Sequence, residues 1–408
     1  MRILIVTMFQ EGKGGGTARV PFDMAKAFSK KHNVALICAG KKTSIKKESE
    51  KLSILMLSGK QKEKFSIPYL TKKNKDAIKD FTNCFSPDVI HAHEPFYLGR
   101  YMQSLALKNN IPFFYTGHIL PLKPLEFSVP KTLIPLAKVL QKLFTKHYLK
   151  HFFRYCNGVV ALNKASFYEH SLFLDKSRIR IISNGKELSA FRLKKKAKQK
   201  DKEKRFTFIG YISSRKNQLF LMKSLKHLEN NAKLHLIGES IDHNYYRQIM
   251  NYKKENKLNN VLFRGNVPHS EIADEFSKTH IFVSASRMEV QSLVIIEALA
   301  SGTPVVALSN ETVDELISEK NGARLSQNSS PERFADEIKR ILKLSQKDYN
   351  YMCRHAKEAS KQFDWNIILE DTVKMYNELK ANIKKTKISS KFLFSIESMS
   401  TKLMQILA

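Results

Sequence analysis

The sequence predicts an α/β protein built from two doubly wound domains, and three observations predict it. Short β-branched runs alternate with longer helical patterns in two successive series along the chain. The almost wholly charged stretch from Leu193 to Arg205 separates the two series and has no face to bury. At 408 residues the chain is also too long for one ordinary core.

In the first series Arg2–Met8, Val34–Cys38, Asp88–His91, Pro112–Thr116 and Gly158–Leu162 read as strands, and Val20–Lys30 as a helix. In the second series Phe206–Gly210, Lys233–Ile237, Val261–Arg264, Ile281–Ala285 and Thr303–Ala307 read as strands, each followed by a polar turn and a helical pattern. Strand and helix in alternation predict parallel sheets covered on both faces, with ligands outside the carboxyl ends of the strands and a cleft between two facing domains. The expected division is a first domain over 1–193, a linker over 194–205, a second domain over 206–375, and a helical tail over 376–408 that returns to the first domain.

Bulk composition narrows the class. Apolar residues make up 42%, enough for two cores. No apolar run approaches the roughly 20 residues of a membrane-spanning helix, and Met1–Val6 is too short for a signal peptide, so a cytoplasmic protein is expected. Cys38, Cys84, Cys156 and Cys353 lie far apart and read as buried thiols, without a zinc knuckle or disulfide framework. With 70 Lys+Arg against 38 Asp+Glu, the formal charge of +32 implies attraction to a polyanionic surface, either nucleic acid or anionic lipid. No recognition-helix, RNP or cold-shock pattern is visible, which argues against nucleic acid.

The densest chemical signal runs from Ser284 to Ala307: a strand end, a polar loop, a helix beginning near Gln291, and a Gly302-x-Pro304 stop. Amides at that helix start, around Ser292 and Leu293, suit a diphosphate without a metal. Glu289 and Glu297 sit up to roughly 12 Å apart at the helical rise, a separation that suits two polyol ends of one ligand. By itself such a pair more often comprises one carboxylate near a helix start and one in solvent. Gly12-Lys-Gly-Gly15-Gly16-Thr lets backbone approach a ligand but lacks the P-loop spacing. His118 ends a strand, and His91-Ala-His93-Glu94 lacks metal-site spacing and reads as structural.

Glu289-x7-Glu297-Ala-Leu-Ala-Ser-Gly-Thr-Pro-Val-Val resembles the donor signature of the retaining GT-B glycosyltransferases of family 4, in the glycogen-synthase-like superfamily. Phe208-Ile-Gly210-Tyr-Ile-Ser-Ser-Arg-Lys216, Leu234–Gly238, Val261-Leu-Phe-Arg-Gly-Asn-Val-Pro-His269, Ile182-Ser-Asn-Gly185 and Phe363-Asp-Trp365 are similar to further segments of that family, in the same order. The resemblance implies two Rossmann-like domains and transfer from a nucleotide-sugar donor with retention, needing neither cofactor nor metal. It implies catalytic roles for His118, Lys216 and Glu289, and donor contacts from Gly15, Gly16, Arg215, Lys216, Glu289, Ser292, Leu293 and Glu297. The sequence departs from the family where Tyr211 replaces the usual phosphate-binding Arg, with Arg215 as the expected substitute cation, and where Val290-Gln291-Ser292 replaces Gly-Phe-Gly.

Between His118 and Asn157, Lys138, Lys142, Lys146, Lys150 and Arg154 recur every fourth position, while Val139, Leu140, Leu143, Phe144, Phe152 and Phe153 lie mostly elsewhere. Such a stripe fits a helix on an anionic membrane surface, or equally a helix packed on its own domain with lysines in water. Lipid-directed members of the family carry a basic amphipathic helix in this region, so the resemblance implies a lipid or lipid-linked acceptor and a place on the inner face of the cell membrane. A soluble transferase of capsule or lipopolysaccharide synthesis is the alternative within the class, and a basic nucleic-acid-binding protein the alternative outside it.

Overall fold

The computed structural model describes residues 1–61, 66–118, 135, 139, 144–191, 197 and 201–381. It divides into two compact units, Met1–Gly185 together with the chain from Trp365 onward, and Lys186–Asp364. Each unit is built on its own sheet, wholly parallel in the second unit and parallel but for two edge pairings in the first.

In the first unit the strands are β1 (Arg2–Val6), β2 (Asn33–Gly40), β3 (Ser44–Ser49), β4 (Leu52–Gln61), β5 (Ser66–Pro68), β6 (Val89–Ala92), β7 (Phe113–Gly117), β8 (Gly158–Ala161) and β9 (Ile179–Ile181). Their order is β3-β4-β2-β1-β6-β7-β8-β9, with β5 paired to β4. All pairs are parallel except β3 with β4 and β5 with β4. The central strands are buried on both faces, which is why Ile3, Leu4, Ile5 and Val6 run without polar alternation. The order reverses between β1 and β6, so the loops after those strands form the unit's switch point. The sequence reading had no signal for β3, whose Ser-Ile-Lys-Lys-Glu-Ser is an exposed, lysine-bearing edge.

The helix expected at Val20–Lys30 spans Gly15–Phe28. Its first turn, Gly-Gly-Thr-Ala, carries no apolar period, and Gly14 at φ 100° provides the left-handed entry.

The second unit contains β10 (Lys204–Ile209), β11 (Ala232–Ile237), β12 (Val261–Gly265), β13 (Ile281–Ser284), β14 (Val305–Leu308) and β15 (Gly322–Leu325). They follow the order β12-β11-β10-β13-β14-β15, all parallel. The switch point lies between β10 and β13, whose following loops are 210–217 and 285–292. Phe206, Phe208, Leu234, Leu236, Val283 and Val306 form the core beneath it. The Gly-Ala-Arg-Leu of β15 has no β-branched or aromatic residue, so it gave no strand signal.

The unit boundary differs from the expected linker. It falls at Gly185/Lys186, where the Lys186 N–H donates to the Phe363 carbonyl (2.7 Å) and Lys186 bridges Asp364. Outgoing and returning chain segments pair there, and backbone pairing rather than charge density sets the division. Lys204 and Arg205, expected in the linker, already belong to β10. Trp365–Leu379, largely expected in the second domain, is a helix of the first unit, burying Trp365, Ile368, Met375, Tyr376 and Leu379. The expected tail beyond residue 381 lies outside the described residues. Of the four thiols Cys38 and Cys156 are buried, Cys353 is half-buried against the second unit's core, and Cys84 is exposed near the end of its helix.

The ends of β10 and β11 approach closely. Gly238 has φ 136°, and a Cβ there would stand 2.1 Å from the Gly210 carbonyl oxygen. Gly238→Ala is expected to cost about 2 kcal/mol or more in denaturant unfolding, through backbone strain and a clash that only main-chain movement relieves. A wild-type midpoint would contradict this close approach.

Candidate functional site

At the second unit's switch point the two loops are tied together. The Arg287 N–H donates to the Arg215 carbonyl (3.0 Å), and the Arg215 guanidinium donates to the Met288 carbonyl (2.8 Å). These bonds bring Lys216 to Glu289: the ammonium donates to Glu289 Oε1, and Arg215 stands 3.7 Å from Oε2. Burial pushes the Glu289 carboxyl up, but Lys216 and then Arg215 outweigh it and hold it below its usual range. The Glu289 N–H is anchored on the Glu311 carboxylate at 3.1 Å.

The following helix spans Leu293–Ala300 and starts two residues later than expected, with Ser292 as its cap residue. The Ser292 amide, expected to face a diphosphate, donates instead to Thr312 Oγ1 (2.9 Å). Asn310 fixes that neighbouring turn by accepting from the Thr312 and Val313 amides and donating to the Ser286 carbonyl. Leu293 is half-buried at the first helical position. Further along, Glu297 is buried among Ile295, Ile296, Ala298 and Leu299. A carboxylate there requires a cation. Lys186 donates to Glu297 Oε1, and His269 Nε2 lies 2.9 Å from the same oxygen. Burial again raises the carboxyl and Lys186 leads the groups that bring it below its usual range.

Lys186 was not singled out from sequence, and His269 appeared only as the end of a matching segment without a role. A lysine following Asn184-Gly185 carries no burial signal in one dimension. Tyr211, at the position of the missing Arg, is half-buried with its phenol raised by burial, and its carbonyl accepts from Gln218 Nε2 (2.9 Å).

The first unit's switch point is different in kind. Gly15 (φ 72°) and Gly16 are exposed where the first helix begins. His91, on β6, is held between the Tyr376 hydroxyl (2.5 Å) and Thr116 Oγ1 (2.7 Å). His93 Nδ1 meets His118 Nε2 at 2.8 Å, and the two rings stack with centroids 5.1 Å apart. Burial lowers His91 to about 3 and His118 to about 4, so both imidazoles are neutral near pH 7. Glu94 accepts from the Thr7 hydroxyl and the Met8 amide, each at 2.9 Å, yet burial outweighs these bonds and raises it to about 7. Among the described residues no group of three or more metal-ligating side chains is present.

Of the basic stripe, Lys138 and Lys142 lie outside the described residues, and Lys146 is described only as backbone of the turn Phe144–Leu149. Lys150 and Arg154 are exposed, while Phe152 and Phe153 are buried in the first unit's core. At this end the apolar side packs on its own domain.

The fold recurs in solved structures. Sucrose-phosphate synthase from Thermosynechococcus elongatus aligns over 93% of this chain and 99% of its own, with a TM-score of 0.74 and 18% identity. Anabaena Alr3699/HepE, solved in complex with UDP-glucose, aligns over 93% and 100%, with a TM-score of 0.70 and 16% identity. Two Rossmann-like units with these neighbours give the chain a GT-B architecture. Residues 14–189 match the family described as Glycosyltransferase Family 4, and residues 190–363 the family described as Glycosyl transferases group 1. The chain belongs to this group of glycosyltransferases. It is also similar to the alpha-monoglucosyldiacylglycerol synthases of Streptococcus pneumoniae (25% identity, 68% of each chain) and Acholeplasma laidlawii (23% identity, 59% of this chain and 64% of that one).

Because Glu289 is held ionised below its ordinary 4.5, its pair with Lys216 contributes fully above that pH and is lost as pH falls through the folded value. Lys216→Met should therefore cost about 2 kcal/mol near neutral pH by leaving the buried carboxylate to Arg215. In urea unfolding the gap to wild type should shrink on acidification. A gap independent of pH would assign Lys216 to packing alone.

Proposed function

We propose that the chain transfers a hexose from a nucleoside-diphosphate sugar to a hydroxyl of a membrane lipid, with retention of anomeric configuration. The observation that carries the donor half is the pair of buried carboxylates, Glu289 and Glu297, each fixed by a lysine beside the second unit's switch point. Carboxylates accept strongly from sugar hydroxyls, so Glu289 serves the transferred sugar and Glu297 the ribose. Lys216 and Arg215 meet the diphosphate, where negative charge grows as the bond from the anomeric carbon to phosphate oxygen breaks. The acceptor hydroxyl attacks from the same face, and its proton passes to the departing phosphate oxygen. His118 serves as a neutral hydrogen-bonding group, as its lowered pKa favours.

The acceptor half rests on the two diacylglycerol-directed relatives, on the +32 charge, and on the exposed Lys150 and Arg154. Among the described residues no helix is long and apolar enough to cross a membrane, so the proposed attachment is peripheral, on the cytoplasmic face.

Transfer from a panel of nucleotide sugars to diacylglycerol in vesicles is expected to yield glycolipid with one preferred donor; transfer only to soluble sugars would overturn the lipid acceptor. Arg215→Ala should lower turnover by about 10²-fold or more, as loss of a group that stabilises developing charge does, and adding Tyr211→Arg should recover part of it. Wild-type turnover in Arg215→Ala would mean that the missing cation has not moved there.

Attachment itself is checked by vesicle cosedimentation. Binding should require anionic lipid and weaken with salt, each cation contributing on the order of 1 kcal/mol. The triple change Lys142→Glu, Lys146→Glu and Lys150→Glu should abolish it while nucleotide binding persists. Indifference of the parent to anionic vesicles at low salt would favour a soluble acceptor.

A further inference from the structure

We infer that Lys186 is a positioning residue for the donor site, fixing which oxygen of Glu297 is offered to the ribose diol and thereby setting the preference for ribonucleotides over deoxyribonucleotides. The inference rests on the reading of Glu297 as the ribose ligand.

Glu297 is set in the apolar helix Leu-Val-Ile-Ile-Glu-Ala-Leu-Ala, and packing on that helix leaves its carboxylate few ways to be satisfied. Lys186, buried like Glu297, donates to Oε1. The lysine has little freedom of its own. Its N–H is bonded to the Phe363 carbonyl, its backbone bridges Asp364, and its ammonium lies 5.6 Å over the Phe191 ring. His269 Nε2 stands 3.1 Å from that ammonium and 2.9 Å from Oε1. The ammonium and the imidazole both fall on Oε1, which leaves Oε2 as the oxygen for a vicinal diol. A carboxylate free to rotate would lose orientation with each rotamer it sampled.

The charged neighbourhood is small. Lys186 and the half-exposed His269 face Glu297 directly. From the turn Leu188–Phe191 the group that approaches is the Phe191 ring, and the adjacent Glu187 points to solvent, where it accepts from Ser189. The packed helix Gln346–Ser360 brings Lys357 to Gly302, beyond the opposite end of the helix. Among the described residues Lys186 is thus the one buried cation beside Glu297, and it leads the groups that lower the carboxyl. Without it the carboxyl is held by His269 alone and its proton affinity rises. In Lys186→Met, ribose recognition should be lost at mildly acidic pH and return at alkaline pH as Glu297 ionises.

The test is calorimetry with UDP and 2′-deoxy-UDP, and with GDP and 2′-deoxy-GDP, at pH 6 and pH 8.5, on wild type, Lys186→Met, Lys186→Arg and Glu297→Gln. Wild type is expected to favour the ribonucleotide at both pH values. Lys186→Met should lose about tenfold or more of ribonucleotide affinity at pH 6, as truncating one partner of a buried charge pair does, while deoxynucleotide affinity stays nearly constant. Much of the preference should return at pH 8.5, and Lys186→Arg should retain it at both. Equal weakening of both nucleotides, or a loss unmoved by pH, would make Lys186 merely structural and overturn the inference. Should Lys186→Met fail to fold, Lys186→Gln, which keeps a donor without the charge, carries the same comparison. If Glu297→Gln keeps the full ribose preference, or wild type binds none of the four nucleotides, the underlying donor reading falls, which is distinguishable from a failure confined to Lys186.

Discussion

A buried carboxylate is unstable unless a cation reaches it, and much of the second unit is arranged around meeting that condition twice. Glu297 is met by Lys186 from the point where the chain enters the unit, and Glu289 by Lys216 from the loop after β10. Neither lysine is near its partner in sequence. The first pairing fixes where the unit begins, since Lys186 also joins the returning chain at Phe363 and Asp364. The second fixes two loops against each other, through Arg215, Arg287 and Met288. Both carboxylates stay charged despite burial because the lysines outweigh the desolvation penalty.

The first unit meets burial in the opposite way. At its switch point the ionisable groups have lost their charge or hold it weakly: His91 and His118 are pulled down, and Glu94 is pushed up to about 7. Hydrogen bonds between His91 and the Tyr376 and Thr116 hydroxyls, and from the Thr7 hydroxyl and Met8 amide to Glu94, replace ion pairs. A neutral imidazole donates or accepts without attracting a counter-ion, whereas the lysine-bound carboxylates of the other unit are acceptors only. One topology thus presents two chemically distinct sets of strand-end groups.

Much of this was legible in one dimension. Parallel strands buried on both faces must be runs of Val, Ile, Leu and Phe, so β1, β10, β11, β13 and β14 stood out. Glu289 and Glu297 were legible through a spaced motif, as were the loop residues Arg215 and Lys216. The charged edge strand β3, the Gly-Ala-Arg-Leu of β15 and the glycine-rich first turn at Gly15 carried no periodicity and failed to register, and β4 also went unread despite its apolar Leu-Ser-Ile-Leu-Met-Leu. The charged run before β10 looked like a boundary because polarity and chain crossing usually coincide, and here they are separated.

The sequence by itself determined the α/β class, the two series of strands, the position of the spaced glutamate pair and the basic character of the chain, because these depend on local periodicity, spacing and composition. Only the tertiary structure decided which cation stands beside which carboxylate, that the Ser292 amide is committed to Thr312, and that Phe152 and Phe153 belong to a core. It also decided that the helix from Trp365 belongs with residues more than two hundred positions earlier, where Tyr376 meets His91. These outcomes depend on which distant segments the sheets bring together. A lysine such as Lys186 reads in one dimension like any surface lysine until the fold removes the water around it.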